Sequence, residues 1–270
     1  GIEDYTRIGS LLQPEQIVKY GELTLRENQI AYAEPSFFRL FDFELLKGDK
    51  KTCLSMPGQV VITERIASKY FKDEDPIGKI FIFTGAYDKI SCEVTGVMKE
   101  MPSNSHIHYS FLISYKSLPK YMQEYWYKHE AYTYVLLDSP ERKAEIEREF
   151  PVMAEKYKTD EALKNKTWGV SLIPLADIHL TPQVGYEAET KGNRSSMIAL
   201  IFAAIAILAI AWINYINLTV ARSMERAKEV GVRRVVGAFR KQLIHQFLFE
   251  ALVMNLIAFI LAVGLIELIL

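Results

Sequence analysis

Residues 197–220, MIALIFAAIAILAIAWINYINLTV, contain no charged side chain. No other feature of the chain restricts its possible folds as strongly. As a helix these residues rise about 36 Å, enough to cross a hydrocarbon core of about 30 Å. A buried core helix seldom runs this long without a charge, so the run reads as a membrane span. Asn214, Tyr215 and Asn217 fall near one end, where side chains can reach the interface or a neighbouring helix. A second candidate covers 243–270, where Glu250 and Glu267 bracket sixteen uncharged residues. An isolated carboxylate in hydrocarbon is costly, so each should sit near an end, pair, or face protein.

Between the runs lies MERAKEVGVRRVVGAFRKQ. Residues 222–241 hold seven basic side chains (Arg222, Arg226, Lys228, Arg233, Arg234, Arg240 and Lys241) against Glu225 and Glu229. Short connections rich in Lys and Arg stay on the cytoplasmic side. Val232, Val235, Val236, Phe239 and Leu243 follow i, i+3, i+4, i+7, i+11 spacing, and Arg226, Arg233 and Arg240 recur every seven residues on another face. An apolar stripe needs a surface to pack on, which here is either the membrane interface or a partner protein. Gly231 and Gly237 weaken a straight helix, and Gly237–Ala238 is the expected break.

A cytoplasmic basic loop places everything before residue 196 on the opposite side of the membrane. Residues 1–195 hold 25 Lys+Arg and 29 Asp+Glu, while residues 196–270 hold 7 and 4, so the two parts differ in sign of net charge. The first part is long enough to bury its own core and reads as mixed α and β. Stretches 29–33, 59–63, 79–83, 89–98, 131–137 and 168–175 are rich in β-branched and aromatic residues and are predicted strands. Residues 63–71 predict a short helix with Thr63 as N-cap and Ile66, Ala67, Tyr70 and Phe71 inward. A longer helix is expected to start at Ser139-Pro140-Glu141, with Pro151 kinking or splitting it. The chain has no initiator Met and no signal peptide, and stops inside an apolar run, so it reads as a piece excised from a longer protein.

Catalytic patterns are missing from the sequence. It carries no G-x-S-x-G, no H-E-x-x-H and no glycine-rich phosphate loop. His106 and His108 would share a face if they lay on a strand, but nothing nearby supplies third and fourth metal ligands. Cys92 alternates with Ile90 and Val94, as on the buried face of a strand. Cys53 and Cys92 read as buried thiols, and a disulfide would require them to be spatial neighbours. No catalytic residue, cofactor or metal site, and no nucleic-acid partner, is expected.

The segment ERAKEVGVRRVVGAFRKQLIHQFLFEALV is similar to the permease subunits of MacB-like ABC transporters, within the FtsX superfamily. Arg226, Lys228, Glu229, Gly231, Arg233, Arg234, Gly237 and Ala238, then Phe247, Leu248 and Glu250, fill the family pattern, with Val230 and Val232 where Ile is usual. Upstream, NYINL resembles the end of the family's second span. PSFFRLFDFELLKGD, VVITERIASKYF, DEDPIGK, CEVTGVMKEMPSNSHIHYSFLIS and IPLADIHL resemble the periplasmic core domain, in a form familiar from Bacteroidetes-type proteins.

The resemblance implies an α+β extracytoplasmic (periplasmic core) domain over 1–195, followed by α-helical transmembrane segments over 196–270. These divide into a span at 196–221, a cytoplasmic coupling segment at 222–241 and a truncated span at 243–270. It implies a multi-pass protein of the cytoplasmic membrane whose ATPase lies in a partner subunit or outside this piece. Arg226, Lys228, Glu229, Gly231, Arg233, Arg234 and Gly237 would then couple to that ATPase. A second permease subunit, identical or not, membrane lipid and a periplasmic adaptor are the other implied partners. The alternative function within the superfamily is a membrane-anchored regulator that activates a cell-wall hydrolase through the same mechanical coupling.

Overall fold

The computed structural model describes residues 1–9, 15–85, 89–123, 131–157, 164–178, 194–237 and 239–269. The chain divides into two compact units, Gly1–Arg194 and Ser195–Leu270. The strands of the first are β1 (Ile2–Gly9), β2 (Glu15–Tyr20), β3 (Leu23–Asn28), β4 (Ile30–Ala33), β5 (Leu45–Lys47), β6 (Gln59–Thr63), β7 (Ile80–Thr84), β8 (Lys89–Met98), β9 (Phe111–Ser114) and β10 (Tyr132–Leu137). Its helices are α1 (Phe37–Leu40), α2 (Glu64–Phe71), α3 (Lys120–Gln123) and α4 (Arg142–Tyr157); the second unit contains α5 (Arg194–Val235) and α6 (Arg240–Ile269). The expected α+β unit followed by apolar helices is therefore what forms.

One mixed sheet organises the first unit, in the order β10-β1-β4-β9-β6-β8-β7-β2-β3, with β5 added on β8. The pairs β4/β9 and β6/β8 are parallel and the others antiparallel. Its middle is covered on both faces. Val60 and Ile62 of β6, Phe111 and Ile113 of β9, and Ile30 and Tyr32 of β4 enter one core with Ile66, Tyr70 and Phe71 of α2. The residues between them, Val61, Leu112, Ala31 and Ala33, enter a second core with Phe37 and Phe38 of α1. Strands buried on both faces favour apolar residues on both, which is why Ile30–Ala33 of β4, Val60–Ile62 of β6 and Phe111–Ile113 of β9 are continuous apolar runs. Towards the edge, β2 alternates buried and exposed residues because only one of its faces is covered.

Local chemistry fixes the joints. Thr63 caps α2, its Oγ1 accepting from the Ile66 amide at 3.5 Å, as the sequence predicts. Gly48 has φ +98, and a Cβ there would lie 2.5 Å from the Thr95 carbonyl oxygen, so only glycine fits. Glu27, 6% exposed, accepts from Tyr70 Oη at 2.8 Å and Lys69 Nζ at 2.6 Å, which satisfies a carboxylate taken out of water.

Three sequence expectations are corrected. Residues 168–174 form no strand, because no neighbouring strand offers them a ladder among the described residues. The long helix starts at Arg142 rather than at 139–141, and it runs through Pro151 without splitting. His106 and His108 precede β9 in irregular chain, so the shared strand face does not exist. His106 Nε2 lies 3.0 Å from Tyr134 Oη, and His108 Nε2 lies 3.0 Å from the Pro102 carbonyl. Cys53 and Cys92 are free, buried and in different cores.

Phe81 is fully buried and meets Tyr20, Tyr70, Phe71, Phe83 and Phe111 with ring centroids 4.9–6.0 Å apart. Phe81→Ala should lower the stability of the first unit by about 3–5 kcal/mol, read as an earlier denaturation midpoint. Burial raises the Cys53 thiol to about 11 and the Cys92 thiol to about 12. At pH 8 the Cys53 thiolate fraction is then about one in a thousand. Neither thiol should react with iodoacetamide in the native chain, and both should react once it is unfolded.

Candidate functional site

The described residues of the first unit assemble no catalytic group. Among them, no three His, Cys, Asp or Glu side chains are placed to hold a metal ion. Several of its carboxylates are held in ion pairs, among them Asp4 with Arg39 and Asp75 with Lys47. The Arg39 guanidinium beside Asp4 lowers that carboxyl, and the Lys47 ammonium lowers Asp75. The chemistry-bearing feature of the chain is the turn in the second unit.

Among the described residues, two stretches are long and apolar enough to cross a membrane, Ser195–Met224 and Lys241–Ile269, and neither is buried against other protein. The first belongs to α5, which continues unbroken for 42 residues and so carries residues 225–235 as a rigid extension of the apolar part. Gly231 does not interrupt it. Helical propensity costs about 1 kcal/mol there, which the flanking hydrogen bonds absorb.

Gly237 does interrupt it, as the sequence predicts. Its φ is +97, and its amide reaches back only to Arg234 O at 3.1 Å, one residue short of an α-helical bond. Ala238, the other half of the expected break, lies outside the described residues, as do the side chains of Glu225, Arg226 and Arg240. Past the turn, the Phe239 amide donates to Gln242 Oε1 at 3.2 Å while the Gln242 amide donates to Phe239 O at 3.0 Å. This reciprocal pair is the glutamine half of a capping box and starts α6.

The break rearranges the predicted apolar stripe. The i+7 and i+11 spacing assumes one continuous helix, whereas Val232 and Val235 end α5, Phe239 lies in the turn and Leu243 begins α6. Leu243 alone is buried, at 6% exposure. Val235, Val236 and Phe239 stand out at the tip, at 89%, 83% and 72%. A shallow hollow at the turn is lined by Val232, Arg233, Val236 and Gly237.

Of the charged residues singled out by sequence, Lys228 and Arg234 are exposed, and their side chains make no ion pair or hydrogen bond to a described residue. Glu229 and Arg233 pair at 2.6 Å along α5, as their i, i+4 spacing requires. Arg233 also donates to Gln246 Oε1 on α6 at 2.7 Å. Sequence reasoning missed Gln246. The two residues sit on different helices, so no periodicity links them before the turn is known. Gln242 was not singled out either, although a glutamine three residues after Phe239 and just before the apolar run is a local capping signal.

Comparison with known proteins agrees with the two-unit arrangement. Residues 3–151 match the model of the MacB-like periplasmic core domain, and residues 201–270 match that of the FtsX-like permease C-terminal region. The chain is 25% identical over 229 residues to the macrolide export ATP-binding/permease protein MacB of Neisseria meningitidis, covering 84% of this chain and 31% of that protein. It is 28% identical over 209 residues to the protein of the same name from Rhodopseudomonas palustris, covering 76% and 29%. The chain thus spans about a third of the length of these relatives. A crystal structure of a domain assigned to a permease protein of Porphyromonas gingivalis superposes with a TM-score of 0.50 at 23% identity, over 60% of this chain and 74% of that one. That likeness concerns the fold.

The two glycines separate by substitution. Gly237→Val should cost about 1–3 kcal/mol through its backbone, since open space surrounds the site. Gly231→Ala should stabilise the helix by up to about 1 kcal/mol. Amide hydrogen exchange over residues 230–245 should quicken in the first variant and slow in the second.

Proposed function

We propose a function from the premise that this chain belongs to the MacB-like periplasmic core domain family and carries the FtsX-like permease C-terminal region. It acts as the membrane subunit of an ABC transporter, coupling ATP hydrolysis by a partner ATPase to motion of its extracytoplasmic unit, for export or extraction of a substrate. A second permease subunit would complete the membrane part. The observation that carries this reading is the turn at Gly237: a basic, apolar-tipped element between two helices long enough to span a bilayer. A connection with this charge stays in the cytoplasm, which is where ATP is.

The residues of this coupling element are Arg226, Lys228, Glu229, Gly231, Arg233, Arg234 and Gly237. Its uncommitted cations, Lys228 and Arg234, suit an acidic surface of the ATPase. Val235, Val236 and Phe239 suit the apolar patch such a surface would bury, or the membrane interface beside it. With the ATPase on this side, the motion travels along α5 into the bilayer as displacement of a rigid rod. The chain's own residues supply no nucleotide chemistry in this scheme; they supply a handle and a lever.

A cysteine at Ala227 should be labelled only from the cytoplasm and one at Glu22 only from the other face; labelling of both from one face would reject this topology. Reversing both cations, Lys228→Glu with Arg234→Glu, should leave membrane insertion unchanged and weaken co-purification of the ATPase with the full-length permease by at least about tenfold. Undiminished co-purification and transport would show that these cations only hold the loop in the cytoplasm.

A further inference from the structure

Within the coupling element the charged residues are not equivalent. Lys228 and Arg234 point away from the described chain, whereas Arg233 is committed twice. One arm of its guanidinium meets Glu229 Oε1 on the same helix at 2.6 Å. The other donates to Gln246 Oε1 at 2.7 Å, thirteen residues later and on the other side of the turn. The planar fork of an arginine can hold two acceptors in fixed directions, which the single ammonium of a lysine cannot do. A chain of two polar contacts therefore ties the end of α5 to the start of α6, with Gly237 between them.

We propose that Glu229, Arg233 and Gln246 are positioning residues: an internal brace that fixes the angle of the α5–α6 turn, rather than part of the surface that touches the ATPase. This rests on the coupling role proposed above. The mechanical reason is the glycine. At φ +97 the chain changes direction through a residue with no side chain to limit it. A hinge of that kind absorbs an applied displacement unless something spans it. With the brace in place, a push at the tip moves both helices together. Without it, the push is spent opening the turn. Arg233 could reach an ATPase only by giving up both partners, which opposes its use as a docking group.

The side-chain chemistry provides a test that separates brace from docking surface. The exchange Glu229→Arg with Arg233→Glu keeps the i, i+4 pair. It also keeps the bond across the turn, because the Gln246 amide can donate to Glu as readily as it accepted from Arg. It reverses the charge any partner would see. Gln246→Ala does the opposite, removing the crossing contact without changing charge, and Gln246→Glu restores an acceptor for Arg233.

The experiment uses the full-length permease in lipid nanodiscs, with spin labels at Met224 and Leu248 to report the α5–α6 distance distribution. Co-purification of the ATPase and ATP hydrolysis by the complex are measured on the same variants. Expected are a wild-type distribution and co-purification within twofold of wild type for the exchange variant. Gln246→Ala should broaden the distribution, retain the ATPase and lower coupled hydrolysis by at least about fivefold, with Gln246→Glu rescuing both readouts. An unchanged distribution in Gln246→Ala would overturn the brace. So would normal coupled hydrolysis despite a broadened one. Loss of co-purification in the exchange variant with a wild-type distribution would place Glu229 and Arg233 on the docking surface instead. If no ATPase accompanies even the wild-type permease, the coupling role fails, and the distance distributions alone decide whether the brace exists.

Discussion

Hydrocarbon offers a peptide group no hydrogen-bond partner, so a chain entering it must satisfy its backbone internally before anything else about the fold is decided. This constraint shapes the second unit. Its two apolar stretches are continuous helices, and each keeps its turns intact across the whole apolar length. The place where the backbone departs from helix, Gly237, lies within the basic segment, beyond the apolar stretch that ends at Met224. An irregular residue about twenty positions earlier, inside the apolar stretch, would leave amides unpaired if that stretch lay in lipid, at several kcal/mol each. The same constraint suits two uninterrupted helices with their irregular residue kept outside the apolar stretches.

The first unit answers the same demand by a different route. There the backbone is satisfied by a sheet, and the solvent is water on the outside only. The middle strands β4, β9 and β6 are shielded on both faces by α2 on one side and α1 with its following aromatic loop on the other. Phe37 stacks on Phe43 at 5.6 Å and both meet Phe41, so the short loop after α1 acts as a lid over its core. Arg7 locks this centre at its margin. It bonds Glu34 on one side and lies over the Tyr115 ring at 4.3 Å on the other, joining β1 to the chain that follows β4 and β9. Both cores are built entirely from residues of the first unit.

Legibility in the sequence tracked how local each feature is. β6, β8 and α2 could be read because composition, period and cap all lie within a few residues of each other. β2 and β3 could not. Lys19, Glu22, Arg26 and Glu27 give that hairpin a polar look, and its turn at Gly21, with φ +55, is a single unaccompanied glycine. Residues 168–175 erred in the other direction: their side chains suit a strand, but a strand exists only where a neighbour offers a ladder. The coupling turn divides in the same way. Gly237 and Gln242 are local signals. The Arg233–Gln246 contact depends on two helices folding back on each other, and the apolar stripe was misread because one period was carried across a break.

The two glycines show why position outweighs residue type. Gly231 sits in helix with Glu229 and Arg233 paired around it, so its missing side chain costs propensity and changes no direction. Gly237 comes after the last α-helical hydrogen bond, Val236 N to Val232 O at 3.1 Å, and there the left-handed backbone redirects the chain. The residues on either side carry opposite tasks. Before it, α5 continues as unbroken helix from the apolar stretch through the basic residues to Val235. After it, the Gln242 cap restarts a helix at once, with almost no slack between the two. The turn is short, and the contact across it limits the freedom that the glycine leaves. α5 ends at Val235 and α6 begins at Arg240, and the Arg233–Gln246 contact at 2.7 Å spans the turn between them.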